Sequence, residues 1–423
     1  MSRPRAAIVV TGSELVRGER TDRNGPFYAR EALSLGLVPE RIVIVGDDPA
    51  DLEAALRAGS EADVCLVSGG LGPTHDDRTV ELVARVAGVA LRVEEGLERE
   101  IEAVSRSIAG RLGRPYADFA AGVTKQATVP EGAEVIGVAG TAPGLVLTDG
   151  GCVYVVLPGP PGELRRLWPA AVASDALGGV LRRTTPPGRH VLRFFGASES
   201  AVAQALAEAG GDGDGVEATI CARDFEIHVD LVVEPGAEDR GEALAVALRA
   251  PLERYLFAQD ERPVSELVLD LCRERGLRLG TAESCTGGLV AARLSDVPGA
   301  SDVLAGGIVA YANDVKTAEL GVPEQLIAAH GAVSAEVAAA MASGVRKRLD
   351  VDVGVAVTGV AGPGGGTPEK PVGLVHFHVS APGAEEARSF SLPGDRATIR
   401  SRATVSALHL ARRVLTRSRH EGV

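Results

Sequence analysis

The sequence predicts a layered α/β protein built from more than one domain. Three observations carry this. Short, continuously apolar runs alternate with amphipathic runs through the first 175 residues and again from residue 260 onward. That is the pattern of a mostly parallel sheet covered on both faces. Glycine-rich turns follow two of the apolar runs, at 69–72 and 359–366. The 423 residues exceed a single typical domain of about 100–150 residues.

In chain order, residues 6–11 read as a strand, 24–35 as a helix, 41–46 as a strand and 49–60 as a helix. Residues 63–68 form a third strand, ending in Gly69-Gly70-Leu71-Gly72-Pro73-Thr74. Helices are expected at 78–88 and 94–111, and strands near 144–148 and 152–157. The Thr185-Pro186-Pro187-Gly188 stretch is a break. Residues 189–257 then read β-α-β-β-α: strand 190–195, helix 198–209, strands near 217–221 and 225–233, and helix 238–249. The third part has helix 263–275, strand 277–281 and a helix to about 294. Strand 306–311, helices near 314–320, 323–329 and 334–348, strand 352–358, strand 372–379 and a closing helix 395–417 follow. The expected domains are 1–175 (α/β/α), 176–258 (small α+β) and 259–423 (layered α/β).

Composition narrows the function. There are 44 Lys+Arg against 57 Asp+Glu, a formal net charge of −13. With no basic tract, this argues against direct nucleic-acid or membrane-surface binding. No apolar run reaches the ~20 residues that span a bilayer, and the opening residues lack a signal-peptide pattern, so a cytoplasmic protein is expected. The five cysteines (65, 152, 221, 272 and 285) include no CxxC pair. Neither a disulfide framework nor a structural zinc site follows. Only four residues are lysines, 125, 316, 347 and 370. In a chain that otherwise uses arginine, each lysine is either there by chance or kept where a proton must be given up.

The third part holds the chemistry. Ser284 lies between a strand and the Gly287-Gly288 pair that opens a helix. Such a loop presents backbone amides and a helix dipole to a developing anion, although a serine there is also an ordinary helix N-cap. His330, His376, His378 and His409 offer it no evident partner, which leaves Lys316 as the base, provided burial keeps it neutral. Cys285 is a rival nucleophile or a small buried residue. Loop 359–366 is either a phosphate cradle or a flexible turn; no GK[ST] closes it. Arg396 and Arg400 share one face of the last helix, either as an anion clamp or as solvated charge.

Taken together, the strings TAESCTGG (281–288), AYANDVKTAELGV (310–322), HGAVS (330–334), VTGVAGPGGGTPEKPVG (357–373) and GDRATIR (394–400) resemble the CinA C-terminal domain. TGSELVRGERTDRN (11–24), SGGLGPTHDDRT (68–79), KQA (125–127), GTAPG (140–144) and LPGPPGE (157–163) resemble the N-terminal part of the same family, and FFGASES (194–200) its linking domain. The match covers essentially the whole chain in the expected order.

The resemblance implies that the C-terminal domain hydrolyses the amide of nicotinamide mononucleotide (NMN), with Ser284 attacking, Lys316 as base and Tyr311 beside it. Amides near Cys285, Thr286 and Gly287 would form the oxyanion hole. Asn313, Thr358, Gly359, Gly362 and Arg400 would face substrate, Arg400 on the substrate or its phosphate; no cofactor is expected there. The N-terminal domain resembles the molybdopterin-binding fold, which in this family is associated with metal-dependent ADP-ribose pyrophosphatase activity. Glu14, Asn24, Gly69, Gly70, Gly72, Thr74, Lys125 and Gly159 would hold the nucleotide there. Asp76 and Asp77 would hold a divalent cation, although an Asp pair is also a common helix cap. Two departures stand out: Ser13 where the family often has Thr or Asp, and His75 where Lys is common. A homodimer acting on small nucleotides is expected. The alternative is a pterin- or nucleotide-binding, competence- or damage-associated protein with a vestigial N-terminal site.

Overall fold

A computed structural model describes residues 3–417. It falls into two compact units, Met1–Gly188 and Arg189 onward. The first runs β1 (Arg5–Thr11), α1 (Ser13–Val16), α2 (Asn24–Ser34), β2 (Val38–Val45), α3 (Pro49–Gly59), β3 (Val64–Ser68), α4 (Thr79–Val86), β4 (Leu91–Val93), α5 (Glu95–Leu112) and α6 (Ala117–Gln126). It continues with β5 (Thr128–Pro130), β6 (Glu134–Ala139), β7 (Ala142–Asp149), β8 (Cys152–Leu157), α7 (Pro161–Ala173) and α8 (Asp175–Leu181). The second runs β9 (Gly188–Phe195), α9 (Glu199–Glu208), β10 (Val216–Arg223), β11 (Glu226–Val233), α10 (Glu238–Leu252), β12 (Leu256–Ala258), α11 (Val264–Arg273), β13 (Leu279–Glu283) and α12 (Leu289–Ser295). It ends with β14 (Leu304–Val309), α13 (Asn313–Leu320), α14 (Glu324–His330), α15 (Ala335–Leu349), β15 (Val353–Gly359), β16 (Leu374–Ala381), β17 (Ala384–Ser391) and α16 (Arg396–Arg417).

The first unit is a six-stranded sheet in the order β2-β1-β3-β8-β7-β6. Its β2, β1, β3 and β8 are parallel, and β7 and β6 close it antiparallel. Alternate residues of the same strand feed two cores: Val9, Cys65, Val67 and Val156 on one face, Ile8, Val10, Leu66 and Val155 on the other. Both faces bury apolar side chains, so these strands read as unbroken apolar runs. Each such Val, Leu or Ile contributes about 1.5–3 kcal/mol on burial. Helix α8 places Leu177 and Val180 in the second of these cores, so this unit extends past the boundary expected at 175, to Gly188.

The second unit holds two sheets. The middle residues form β10-β11-β9-β12; the rest form β14-β13-β15-β16-β17, parallel through β14-β13-β15 and antiparallel beyond. Their seam explains why a third unit does not separate. On α16, His409 stacks on Phe195 at 3.8 Å between ring centroids, and its Nε2 lies 2.6 Å from Glu226 Oε1. Glu226 also meets His228 Nε2 at 3.0 Å. His409 thus has a structural place that its sequence context did not reveal.

Among the described residues, no helix is long and apolar enough to cross a membrane.

Candidate active sites

In both units the candidate residues gather at the carboxyl ends of parallel strands, where the strand order reverses. That is where open α/β sheets leave a crevice for ligands. In the second unit the crevice lies at the ends of β13, β14 and β15.

Ser284 follows β13 directly. Its N–H donates to the Val357 carbonyl (2.9 Å), while the Ala310 N–H donates to the Glu283 carbonyl (2.8 Å). The Ser284 position is therefore stitched to both neighbouring strands. Lys316 sits on α13 and is 1% exposed. Its Nζ lies 2.8 Å from the Ala310 carbonyl, 3.2 Å from the Tyr311 carbonyl and 3.2 Å from Ser284 Oγ. Burial pushes this ammonium below the ordinary lysine range, with nearby Cys285 acting weakly in the opposite direction. The Cys285 thiol is buried and pushed up to about 12, first by burial. A thiol held that high is not a ready nucleophile.

The loop that follows is held at several points. Gly287 has φ +60° and turns the chain, and its N–H donates to the Ser284 carbonyl (3.1 Å). Arg400 was expected on substrate. In the structure its Nε donates to the Cys285 carbonyl (3.0 Å) and its Nη2 to the Thr286 carbonyl (2.8 Å), so these donors hold the loop. The Thr286 side chain is fully buried. Thr358 likewise spends its hydroxyl on the Ala332 carbonyl (2.8 Å). Arg396 bridges Tyr311 Oη (2.6 Å) and the Gly362 carbonyl (2.6 Å), tying the glycine-rich loop to the exposed tyrosine. Asn313 opens α13 and is exposed; Gly359 ends β15. The sequence reading missed Glu283. It placed the strand at 277–281 and so read this residue as loop, whereas Glu283 is the last, fully buried residue of β13. A carboxylate just before a glycine pair that opens a helix was the available signal.

In the first unit a cavity of about 630 Å³ opens at the ends of β1, β3 and β8. Glu14, Asn24, Gly69, Gly70, Asp76, Asp77 and Gly159 all line it. Gly69 has φ +103°, and a side chain there would meet the Thr11 carbonyl at 2.5 Å, so only glycine fits. Asn24 is buried and donates to Ser68 Oγ (2.8 Å) and the Gly159 carbonyl (2.7 Å), which ties three loops of the cavity together. Glu14 lies in the short helix α1 rather than in a loop. The Thr74 hydroxyl, with one proton to share, lies 2.5 Å from an Asp76 carboxylate oxygen and 2.6 Å from one of Asp77. The Thr74 hydroxyl, first among several groups, holds the Asp76 carboxyl below its usual range. Lys125 donates to the Thr74 carbonyl and, with Gly72, lines an adjoining cavity of about 360 Å³ that shares Gly70 and Asp77 with the first. Asp47, which the sequence reading passed over, also lines the larger cavity, its carboxylate held by Thr11 Oγ1 (3.3 Å) and the Ser13 N–H (3.0 Å).

Among the described residues, no three His, Cys, Asp or Glu side chains come close enough together to hold a metal ion. Asp76 and Asp77 therefore do not make a closed cage. They fit a cation that takes one or two protein carboxylates and completes its shell with water and phosphate oxygens.

Each of the two units thus carries one open α/β crevice, and the second holds a buried serine–lysine contact. Residues 7–176 match the family described as probable molybdopterin binding domain, and residues 261–415 match the CinA C-terminal domain. The chain is 46% identical over 421 residues to a CinA-like protein of Mycolicibacterium gilvum (strain PYR-GCK), covering 97% of this chain and 99% of that one. It is 45% identical over 422 residues to a CinA-like protein of Mycobacterium tuberculosis (strain ATCC 25177 / H37Ra), covering 97% of each. A solved competence-damaged protein (CinA) superfamily protein from Escherichia coli is 34% identical, covers 36% of this chain and 92% of its own, and superposes with a TM-score of 0.34. The chain belongs to the CinA family.

Proposed function

We propose that the C-terminal part hydrolyses the amide of NMN, giving nicotinic acid mononucleotide and ammonia, with Ser284 as nucleophile and Lys316 as base. The carrying observation is the set of neighbours around Lys316 Nζ. A neutral amine has two N–H bonds and one lone pair. The carbonyls of Ala310 and Tyr311 match the two N–H bonds, and Ser284 Oγ occupies the remaining direction. In the neutral form the serine O–H then donates to Nζ. On attack the serine proton moves to Nζ, Oγ bonds to the amide carbon and the carbonyl electrons move to oxygen. The Gly287 and Gly288 amides are already engaged, by Ser284 O and Glu283 Oε2. The expected oxyanion hole would then draw on the Cys285 and Thr286 amides, which in the structure face the Cys285 sulfur. The proton on Nζ then leaves with ammonia, and water releases the acyl group by the same route. Ammonia release from NMN by the parent beside Ser284→Ala tests this reading.

A second activity, cleavage of the ADP-ribose diphosphate in the first unit, is favoured by one observation. The Gly69-Gly70 turn and the Asp76–Asp77 pair line the same cavity. The turn brings backbone close to a diphosphate, and Asp76 and Asp77 would hold a divalent cation against it. When bound, that cation would neutralise charge developing on the diphosphate. The chain's own part is to hold and orient: Asn24 fixes the loops, Gly69 admits close approach, and Thr74 orients both carboxylates. ADP-ribose turnover in the presence and absence of magnesium, with Asp76→Ala and Asp77→Ala, is the test.

We place the protein with the cytoplasmic enzymes of small-nucleotide recycling, acting as a homodimer. Its sedimentation in solution tests the dimer.

A further inference from the structure

Glu283 takes no part in the chemistry just described, yet four hydrogen-bond donors converge on its side chain. Oε2 accepts from the N–H groups of Gly288 (2.9 Å) and Val290 (3.0 Å). Oε1 accepts from the Ala291 N–H (2.9 Å) and from Thr281 Oγ1 (3.0 Å). Three of these donors are at the start of α12, whose backbone donors have no partner within the helix. Thr281 and Glu283 are both 0% exposed, so no water substitutes for a lost partner. The main chain of Glu283 is fixed from another side by the Ala310 N–H, and Ala310 is the residue whose carbonyl receives Lys316 Nζ. Arg400 grips the carbonyls of Cys285 and Thr286. The turn 284–287 is thus fastened at its far end, where α12 starts, by one buried carboxylate, and on two of its own carbonyls by one guanidinium.

We propose that Glu283 is a positioning residue: by holding the start of α12 to the end of β13, it sets the distance from Ser284 Oγ to Lys316 Nζ and the aim of the Cys285 and Thr286 amides. It touches neither substrate nor the reacting atoms. This inference rests on the serine–lysine amidase reading.

Glu283→Gln is the informative variant. With its NH2 toward Gly288 and Val290 the amide meets two backbone donors; turned the other way it can donate to Thr281 Oγ1 but still faces the Ala291 N–H, so in either orientation at least one backbone donor loses its acceptor. The turn must shift to relieve this. Misplacement of a nucleophile by about 1 Å costs on the order of 100-fold in rate.

The experiment measures kcat and KM for ammonia release from NMN by the parent, Ser284→Ala, Glu283→Gln and Thr281→Val, with folding checked by circular dichroism and thermal melting. A folded Glu283→Gln with kcat at least about tenfold down and KM within about threefold supports the proposal. Glu283→Gln with the parent's kcat, or with KM alone raised, overturns it while leaving the serine–lysine reading intact. Thr281→Val removes one donor and leaves the carboxylate, and it decides the matter if Glu283→Gln does not fold. A severalfold loss of kcat at constant KM supports the positioning role, and parental kcat overturns it. A folded parent that releases no ammonia overturns the amidase reading, and the positioning role with it.

Discussion

Lys316 Nζ stands 3.2 Å from Ser284 Oγ on a side chain only 1% exposed, with two main-chain carbonyls as its other close partners. Arginine at 316 would keep its proton and could not accept the serine's. Lys316→Arg is expected to lose at least about 100-fold in kcat for NMN hydrolysis. Steady-state ammonia assays on the folded variant check this.

The same burial sets the pH dependence. It favours the neutral amine, so the Lys316 pKa lies below its ordinary value. Amidase activity should rise with pH through that lowered pKa and then level off. Between the lowered and the ordinary value, the unfolded chain holds more protons at this site than the folded chain. Stability from this group therefore rises with pH across that window. Lys316→Met should remove this rise, as read from urea denaturation midpoints over a pH series.

Cys285 adjoins Ser284 but is buried, with its thiol pushed up to about 12. Cys285→Ala should keep the parent's kcat and cost about 1 kcal/mol of stability. Chemical denaturation and ammonia assays on one preparation check both. Abolished turnover in that variant would move the nucleophile to sulfur.

In the first unit, Asp76→Ala and Asp77→Ala should each abolish ADP-ribose turnover and weaken magnesium binding measured by calorimetry with ADP-ribose present. Without nucleotide, even the parent should bind magnesium weakly, because the two carboxylates stand without a third ligating side chain among the described residues.

Glu226 bonds two histidines within the seam of the second unit, one of them on α16. Leaving such buried polar groups without their acceptor costs about 1–3 kcal/mol. Glu226→Ala is expected to lower the melting temperature of the second unit while leaving the first unit's unfolding unchanged, as resolved by scanning calorimetry.

The strands β1, β3 and β8 were legible because they are apolar along their length, whereas β13 was placed two residues early because it ends in Thr281, Ala282 and Glu283. β17 was not legible: Ala384–Ser391 is charged and largely exposed, and it is held by its ladder with β16 rather than by a buried face. The short β4 is exposed throughout for the same reason. Ser284 and Lys316 stood out because a serine met a glycine pair and lysine is scarce in this chain. The partners of Arg400 could not be read locally, and those of Glu283 had only the following glycine pair as a signal. A carboxylate and a guanidinium look like solvated charges until the fold sets backbone amides and carbonyls around them. The family resemblance implied ligand roles for Asn24 and Thr358, and tertiary structure commits the Asn24 amide nitrogen and the Thr358 hydroxyl to neighbouring loops.

The most direct test of the central claim is ammonia release from NMN by the purified full chain beside folded Ser284→Ala. The account predicts release by the parent, with nicotinic acid mononucleotide formed in equal amount, and a loss of at least about 1000-fold in the variant. No release from a folded parent, or equal release from both proteins, would contradict it.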